Sequence, residues 1–243
     1  MPLLCLIKMN KDEINNALKR KIEDGSRFDQ YIDKPSNQNQ NLDKGNTFHT
    51  VNMMKKWVLL HYKQVSRLAQ VLQKPELKDT CNNIHGFLYT FIQYEIDKSL
   101  QNLRSPANSW ANRVLGIDCK SYSIFASSIL INLGIKHYIR QIKQAGFNPD
   151  SFSHVYIVVP VDQVTGSLES GCYAIDGTLK NNKEPRYTTE KSIFMSGLQH
   201  LGLNAAKPKR KIKRKPAKKR AIKSTTKKTG LSGCSNKLFN CFK

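Results

Sequence analysis

The sequence predicts an α+β protein in which helices precede an antiparallel sheet and a basic tail follows the folded part. Three observations lead to this prediction. Apolar residues recur at helical spacing over much of the first 133 residues. From about residue 135, β-branched and aromatic runs alternate with turn residues. Residues 191–243 carry 16 basic and no acidic side chains. We therefore divide the chain into an N-terminal helix with a polar linker (1–47), a folded domain (48–198) and a basic, disordered tail (199–243).

The charge separates the folded part from the tail. The 243 residues have a net charge of +22, of which +16 belongs to residues 191–243 and +6 to the remainder. The folded part is thus only mildly basic, and the strong charge predicts a polyanion as the partner of the tail.

Several classes of protein are excluded by composition. The opening residues lack the basic flank and cleavage pattern of a secretory signal, and no stretch of about 18 apolar residues predicts a membrane span. Six cysteines occur without CxxC pairs, which argues against a zinc module or a disulfide framework. We expect a protein of the reducing cytoplasm that needs no metal and no cofactor and has no membrane partner.

Four segments precede the candidate site. Residues 1–25 predict a short helix, and residues 29–47 predict a polar loop. Residues 50–73 predict a helix that Pro75 stops, and residues 76–100 predict a second one with a break at Gly86. We expect these helices to serve as packing layers.

The next helix carries the first candidate site residue. Residues 119–133 have one apolar stripe, Asp118 is a favourable N-cap, and Gly134 fits the left-handed position after the helix. Cys119 then lies in the first turn, where the helix dipole stabilises an anion. A candidate nucleophile therefore stands at the N-terminus of a buried helix.

Two further candidates lie on the strands. The predicted strands are residues 135–142, 153–161 and 171–175. A hairpin centred on Thr165 would place His154 opposite Asp176. A cysteine, a histidine and an aspartate in this order have the side-chain types of a nucleophile, its general base and the group that orients the base.

The same segments resemble the transglutaminase-like branch of the papain-type thiol enzymes. The matching pieces are Gly116 to Cys119, Leu133-Gly134-Ile135, His154-Val155 and Tyr173 to Asp176. The sequences LRSPANSW and KEPRY are similar to those of transglutaminase-like proteins of Bacteroidetes phages and prophages, and the resemblance covers residues 94–187. It implies a cysteine-proteinase-like core with Cys119 as nucleophile, His154 as general base and acid, and Asp176 as orienting residue.

The oxyanion site is the part of the pattern that departs from the family. The backbone N–H of Cys119 is the natural first donor, and Gln93, Tyr94 or Trp110 could supply the second. Trp110 does not clearly match the family's tryptophan, and Val155-Tyr156 replaces the residues that usually follow the histidine. Peptide cleavage, glutamine deamidation and amide transfer all remain open, because each proceeds through a Cys119 acyl-enzyme.

The tail is predicted to bind nucleic acid through its phosphates. Residues 207–228 contain 13 Lys or Arg residues among 22. The alternative is a tail that only improves solubility. The candidate contact residues are Lys207, Lys209, Arg210, Lys211, Lys213, Arg214, Lys215, Lys218, Lys219, Arg220, Lys223, Lys227 and Lys228.

Together these observations predict a phage-associated cysteine hydrolase or acyl transferase that acts on a protein or peptide amide. The tail would tether it to DNA or RNA, or to other proteins of the virion. Its expected location is the cytoplasm of the bacterial host, with the virion as a second place. The alternative is a structural or DNA-binding virion protein that keeps the fold while its triad is idle.

Overall fold

The computed structural model describes residues 11–35, 39–42, 47–97, 101–144 and 150–196. All of them lie within one compact unit, Met1–His200. The candidate nucleic-acid-binding residues of the tail lie outside the described residues.

Helices and antiparallel strands make up this unit, which confirms the α+β class. The helices are α1 (Lys11–Leu18), α2 (Thr47–His61), α3 (Ser66–Leu72), α4 (Leu77–Phe91), α5 (Pro106–Ala111) and α6 (Cys119–Asn132). The strands are β1 (Asn39–Leu42), β2 (Gln101–Arg104), β3 (His137–Gln144), β4 (His154–Pro160), β5 (Cys172–Ile175) and β6 (Tyr187–Met195). No helix of the described part is long and apolar enough to cross a membrane.

The main sheet has four strands in the order β5-β4-β3-β6, and every neighbouring pair is antiparallel. Strands β1 and β2 form a separate two-stranded sheet. Strand β6 was not predicted, because its first five residues are exposed and give no apolar alternation. Such a polar stretch is what an edge strand tolerates.

The register of the β4–β5 hairpin differs from the predicted one by two residues. Extending the observed pairing by one residue places Asp176 opposite Tyr156 rather than His154. The connecting loop contains Gly166 with a φ of +81°, one residue beyond the predicted centre. Because side chains alternate with a period of two, a shift of two residues leaves His154 and Asp176 on the same face as diagonal neighbours.

Helix α6 is the centre of the fold. The prediction of a single apolar stripe is wrong, since all twelve residues 120–131 are buried. Small serine side chains make this possible: Ser123 donates to the Val155 carbonyl at 3.2 Å, and Ser127 hydrogen-bonds His137 Nε2 at 2.7 Å. Helices α2 to α5 and strands β3 and β4 all contact α6.

The ends of α6 agree with the sequence analysis. The Asp118 carboxylate accepts a hydrogen bond from the Ser121 backbone N–H at 3.0 Å, as an N-cap does. Gly134 has a φ of +69°, the left-handed conformation expected just beyond a helix. The position of Cys119 as the first residue of α6 is therefore confirmed.

The N-terminal part contains more structure than predicted. Within the predicted loop 29–47, the chain forms the end of a 3-10 helix (Ser26–Tyr31) and strand β1, and Ile32 is buried in the core. The predicted helix 50–73 is two helices, α2 and α3, joined by a 3-10 turn. Helix α4 runs unbroken past Gly86, and ends at Phe91.

Candidate active site

A neighbouring backbone segment fixes the start of α6. The Glu95 N–H donates to the Ile117 carbonyl at 3.0 Å, and the Ile117 N–H donates to the Gln93 carbonyl at 3.0 Å. Gly116, with a φ of +111°, permits this approach, because a Cβ there would come within 2.6 Å of the Glu95 Cβ. Residues 93–95 therefore lie beside the turn that presents Cys119.

His154, the first residue of β4, lies between the other two candidate residues. Its Nε2 donates to Asp176 Oδ2 at 2.6 Å, and the Cys119 thiol lies close enough to the ring to raise its pKa. Because Asp176 occupies Nε2, the nitrogen left for the thiol is Nδ1. The His154 and Asp176 side chains are only 9% and 1% exposed. The structure thus brings the three predicted residues together.

The electrostatics favour a charged imidazole. Burial alone would lower the pKa of His154, but the Asp176 carboxylate and its hydrogen bond outweigh burial, and Cys119 adds to them, so that the pKa rises to about 10. Burial would likewise raise the pKa of Asp176, yet the His154 charge and hydrogen bonds from His154 and Thr178 lower it. The pair is therefore imidazolium and carboxylate at neutral pH.

The loop after β5 holds Asp176 in place. Its Oδ1 accepts from the Thr178 backbone N–H at 3.1 Å and from the Thr178 hydroxyl at 2.7 Å. Behind this loop, Arg20 donates to the Gly177 carbonyl at 2.9 Å and to the Thr178 carbonyl at 3.3 Å. Arg20 was not singled out from the sequence, since a lone arginine after a short helix carries no motif.

Two of the candidate oxyanion donors are engaged elsewhere. The Trp110 indole N–H donates to Asp29 Oδ1 at 2.6 Å, and its ring stacks on Phe87. The Gln93 side-chain amide donates to the Tyr94 carbonyl at 3.0 Å. The predictions for Trp110 and Gln93 therefore do not agree with this geometry.

Tyr94 is the side-chain candidate that remains. Its isolated bridge to Ile117 lies two residues before Cys119. Burial, followed by the charges of Cys119 and Asp176, raises the pKa of the phenol well above its ordinary value. The hydroxyl thus keeps its proton, as a hydrogen-bond donor to an oxyanion must.

A pocket of about 240 Å³ opens beside the thiol. Cys119 and His154 form part of its wall, together with Gln141, Met54 and Phe152. The Nζ atoms of Lys143 and Lys191 lie 5.7 and 5.4 Å from the centre of the Phe152 ring. A substrate would therefore meet an apolar surface with a positively charged edge next to the nucleophile.

A buried ionic cluster, which no sequence motif indicated, also borders the pocket. Lys120, the residue after Cys119, contacts the Asp118 carboxylate directly and lies 3.5 Å from Asp97 Oδ2. Arg104 lies 3.6 Å from the other Asp97 oxygen. The cluster joins the start of α6 to the chain before β2. Among the described residues, no group of three or more His, Cys, Asp and Glu side chains could hold a metal ion.

The arrangement is chemically suited to transfer of an acyl group through a thiol. A proton carrier, His154, is hydrogen-bonded to a carboxylate that orients it, and it shares the wall of one pocket with the candidate nucleophile, Cys119. Comparisons with protein-family models, curated proteins and solved structures found no match to this chain. The function must therefore be argued from the site itself.

Proposed function

We propose that this protein is a cysteine hydrolase or acyl transferase with a transglutaminase-like core and the triad Cys119, His154 and Asp176. The observation that carries the proposal is the His154 ring, which hydrogen-bonds Asp176 Oδ2 at 2.6 Å and lines one pocket together with Cys119. A buried histidine with a purely structural role would not need a thiol beside it at the start of a helix.

The proposed reaction uses the positively charged His154 ring as its proton donor. The Cys119 thiolate attacks the carbonyl carbon of an amide, and the His154 imidazolium gives its proton to the departing amine as the C–N bond breaks. A water molecule or a second amine then attacks the thioester, His154 accepts its proton, and the thiolate leaves. Water gives peptide cleavage or deamidation, whereas an amine gives transfer.

Labelling with iodoacetamide at neutral pH tests this proposal. We expect Cys119 to be alkylated at least about tenfold faster than Cys172, since burial and the negative charge of Glu184 raise the pKa of the Cys172 thiol. Peptide mapping by mass spectrometry at timed intervals gives both rates in one sample. Equal rates at the two cysteines would remove the chemical basis of the proposal.

Tyr94→Phe tests the oxyanion donor. We expect acylation by N-acetylglycine p-nitrophenyl ester to slow by about a hundredfold, because one hydrogen bond to the oxyanion is lost. Alkylation of Cys119 by iodoacetamide should keep its rate, since that displacement forms no oxyanion. Tyr173→Phe, which removes the hydroxyl of another half-buried tyrosine, serves as the matched control. An equal loss in both reactions would assign Tyr94 a structural role instead.

We further propose that the tail binds nucleic acid, and that the protein works beside phage DNA or RNA in the host cell or virion. The support is compositional: 13 basic residues within residues 207–228. Deleting residues 207–243 should weaken binding to a DNA duplex at 50 mM salt and flatten its salt dependence, which for the full chain should be about 10³-fold between 50 and 200 mM. A tail of the same composition in scrambled order should restore both. Unchanged affinity after the deletion would leave the tail without this role.

A further inference from the structure

Gln141 is a buried side chain of the pocket with an unused hydrogen-bond acceptor. It belongs to β3, where it pairs with Val155 of β4, and only 2% of it is exposed. The Gln141 side chain is part of the pocket wall that includes Cys119 and His154, and its buried Oε1 has no hydrogen-bond partner. A buried acceptor without a partner destabilises a fold unless a ligand satisfies it.

Two other polar side chains of the same wall already have partners. Lys120 is held by the Asp118 carboxylate, and the Ser153 hydroxyl donates to Gln144 Oε1 at 3.1 Å. Val51 and Met54 supply apolar surface close by. A hydrogen bond to Gln141 would therefore form in a pocket with little competing water, where it discriminates strongly between ligands.

We propose that Gln141 Oε1 accepts a hydrogen bond from an N–H of the substrate's acyl part, and so selects N-acylamino, that is peptidyl, acyl donors. This inference rests on the proposed function. The acyl part is the appropriate donor because it stays bound to Cys119 through both steps, whereas the amine departs after the first. A contact with the acyl part therefore stabilises both transition states.

Two isosteric esters test the inference. N-Acetylglycine p-nitrophenyl ester carries the N–H, and acetoxyacetic acid p-nitrophenyl ester has an oxygen in its place. Neither leaving group has an N–H. The full-length protein should prefer the first ester by about tenfold to a hundredfold in acylation rate, beyond the ratio that free N-acetylcysteine shows. Mass spectrometry identifies the acylated cysteine.

Two variants connect this preference to Gln141. Gln141→Met should reduce the ratio to that of N-acetylcysteine, whereas Gln141→Glu keeps an acceptor and should keep most of the preference. A wild-type ratio equal to that of N-acetylcysteine overturns the inference even if Gln141→Met fails to fold, and so does a preference that survives Gln141→Met. If Cys119 is acylated equally by both esters, only the role of Gln141 fails. If neither ester acylates Cys119, the proposed function fails with it.

Discussion

Asp176→Asn is expected to lower the rate of Cys119 acylation at pH 7 by about 10²- to 10⁴-fold, while the fold is retained. The carboxylate is what holds the proton on the buried His154 ring. Without its charge, burial dominates and the pKa of His154 falls from about 10 towards or below its ordinary value of 6.5. The leaving amine then lacks its proton donor, and the ring nitrogens lose their orienting partner.

The histidine pKa can be measured directly. Ring-nitrogen NMR of histidine-labelled protein should show His154 titrating near pH 10 in the wild type and well below that in Asp176→Asn. Because the folded pKa of His154 is above the unfolded one, its contribution to stability is complete below about pH 6.5 and is lost as the pH rises towards 10. The contribution of Asp176, whose pKa is lowered, is lost instead as the pH falls below its ordinary value of 3.8. The wild-type free energy of unfolding should therefore decline between about pH 6.5 and 10 more steeply than that of the variant.

Asp162→Asn is the matched control. Asp162 lies in the exposed loop between β4 and β5, where hydrogen bonds from Thr165 lower its pKa. Acylation rate and His154 titration should both be unchanged in this variant. If Asp176→Asn acylates within about threefold of the wild type, Asp176 has no orienting role and the triad reduces to a Cys119–His154 pair.

Arg20→Ala is expected to lower the free energy of unfolding by about 2–4 kcal/mol, since several hydrogen bonds to a charged group are lost together. The guanidinium donates to the Tyr89 carbonyl at 3.1 Å, the Ile92 carbonyl at 3.0 Å and the Tyr122 hydroxyl at 2.9 Å, besides the loop after Asp176. It also lies 3.9 Å from the centre of the Tyr89 ring. Urea denaturation measures the loss.

Arg27→Ala provides a comparison for the loss of an arginine from the same N-terminal segment. Arg27 is exposed, and its guanidinium lies 5.0 Å from the centre of the Phe28 ring. We expect this change to cost less than about 1 kcal/mol. Similar effects of the two substitutions would show that the buried acceptors of Arg20 are satisfied by water once it is removed.

In Arg20→Ala, acylation of Cys119 should also slow, because the loop that carries Asp176 loses its support.

The candidate site could be predicted from the sequence because its geometry depends on local signals. Asp118 and Gly134 fix the ends of α6, so that Cys119 is placed by capping alone. Side chains alternate between the two faces of a strand, so a register error of two residues leaves His154 and Asp176 on the same face of the sheet.

The remaining features depend on tertiary contacts that local patterns do not encode. The Trp110 indole N–H donates a hydrogen bond to Asp29, 81 residues earlier in the chain, and no local pattern indicates this contact. Strand β6 pairs with β3 at the sheet edge, where polar residues suffice. Gln141 fits the ordinary alternation of polar and apolar residues in its strand. That its Oε1 has no hydrogen-bond partner can be seen only from the surrounding structure.

The burial of α6 on every side has a consequence for the motions of the nucleophile. A central helix whose residues 120–131 are all buried can expose its amides only when its surrounding elements separate. Its backbone amides should therefore be among the slowest in the chain to exchange with deuterium, at rates set by global opening. Cys119 stands at the end of this slowly exchanging element, so its position relative to the pocket does not depend on local fluctuations of the helix that carries it.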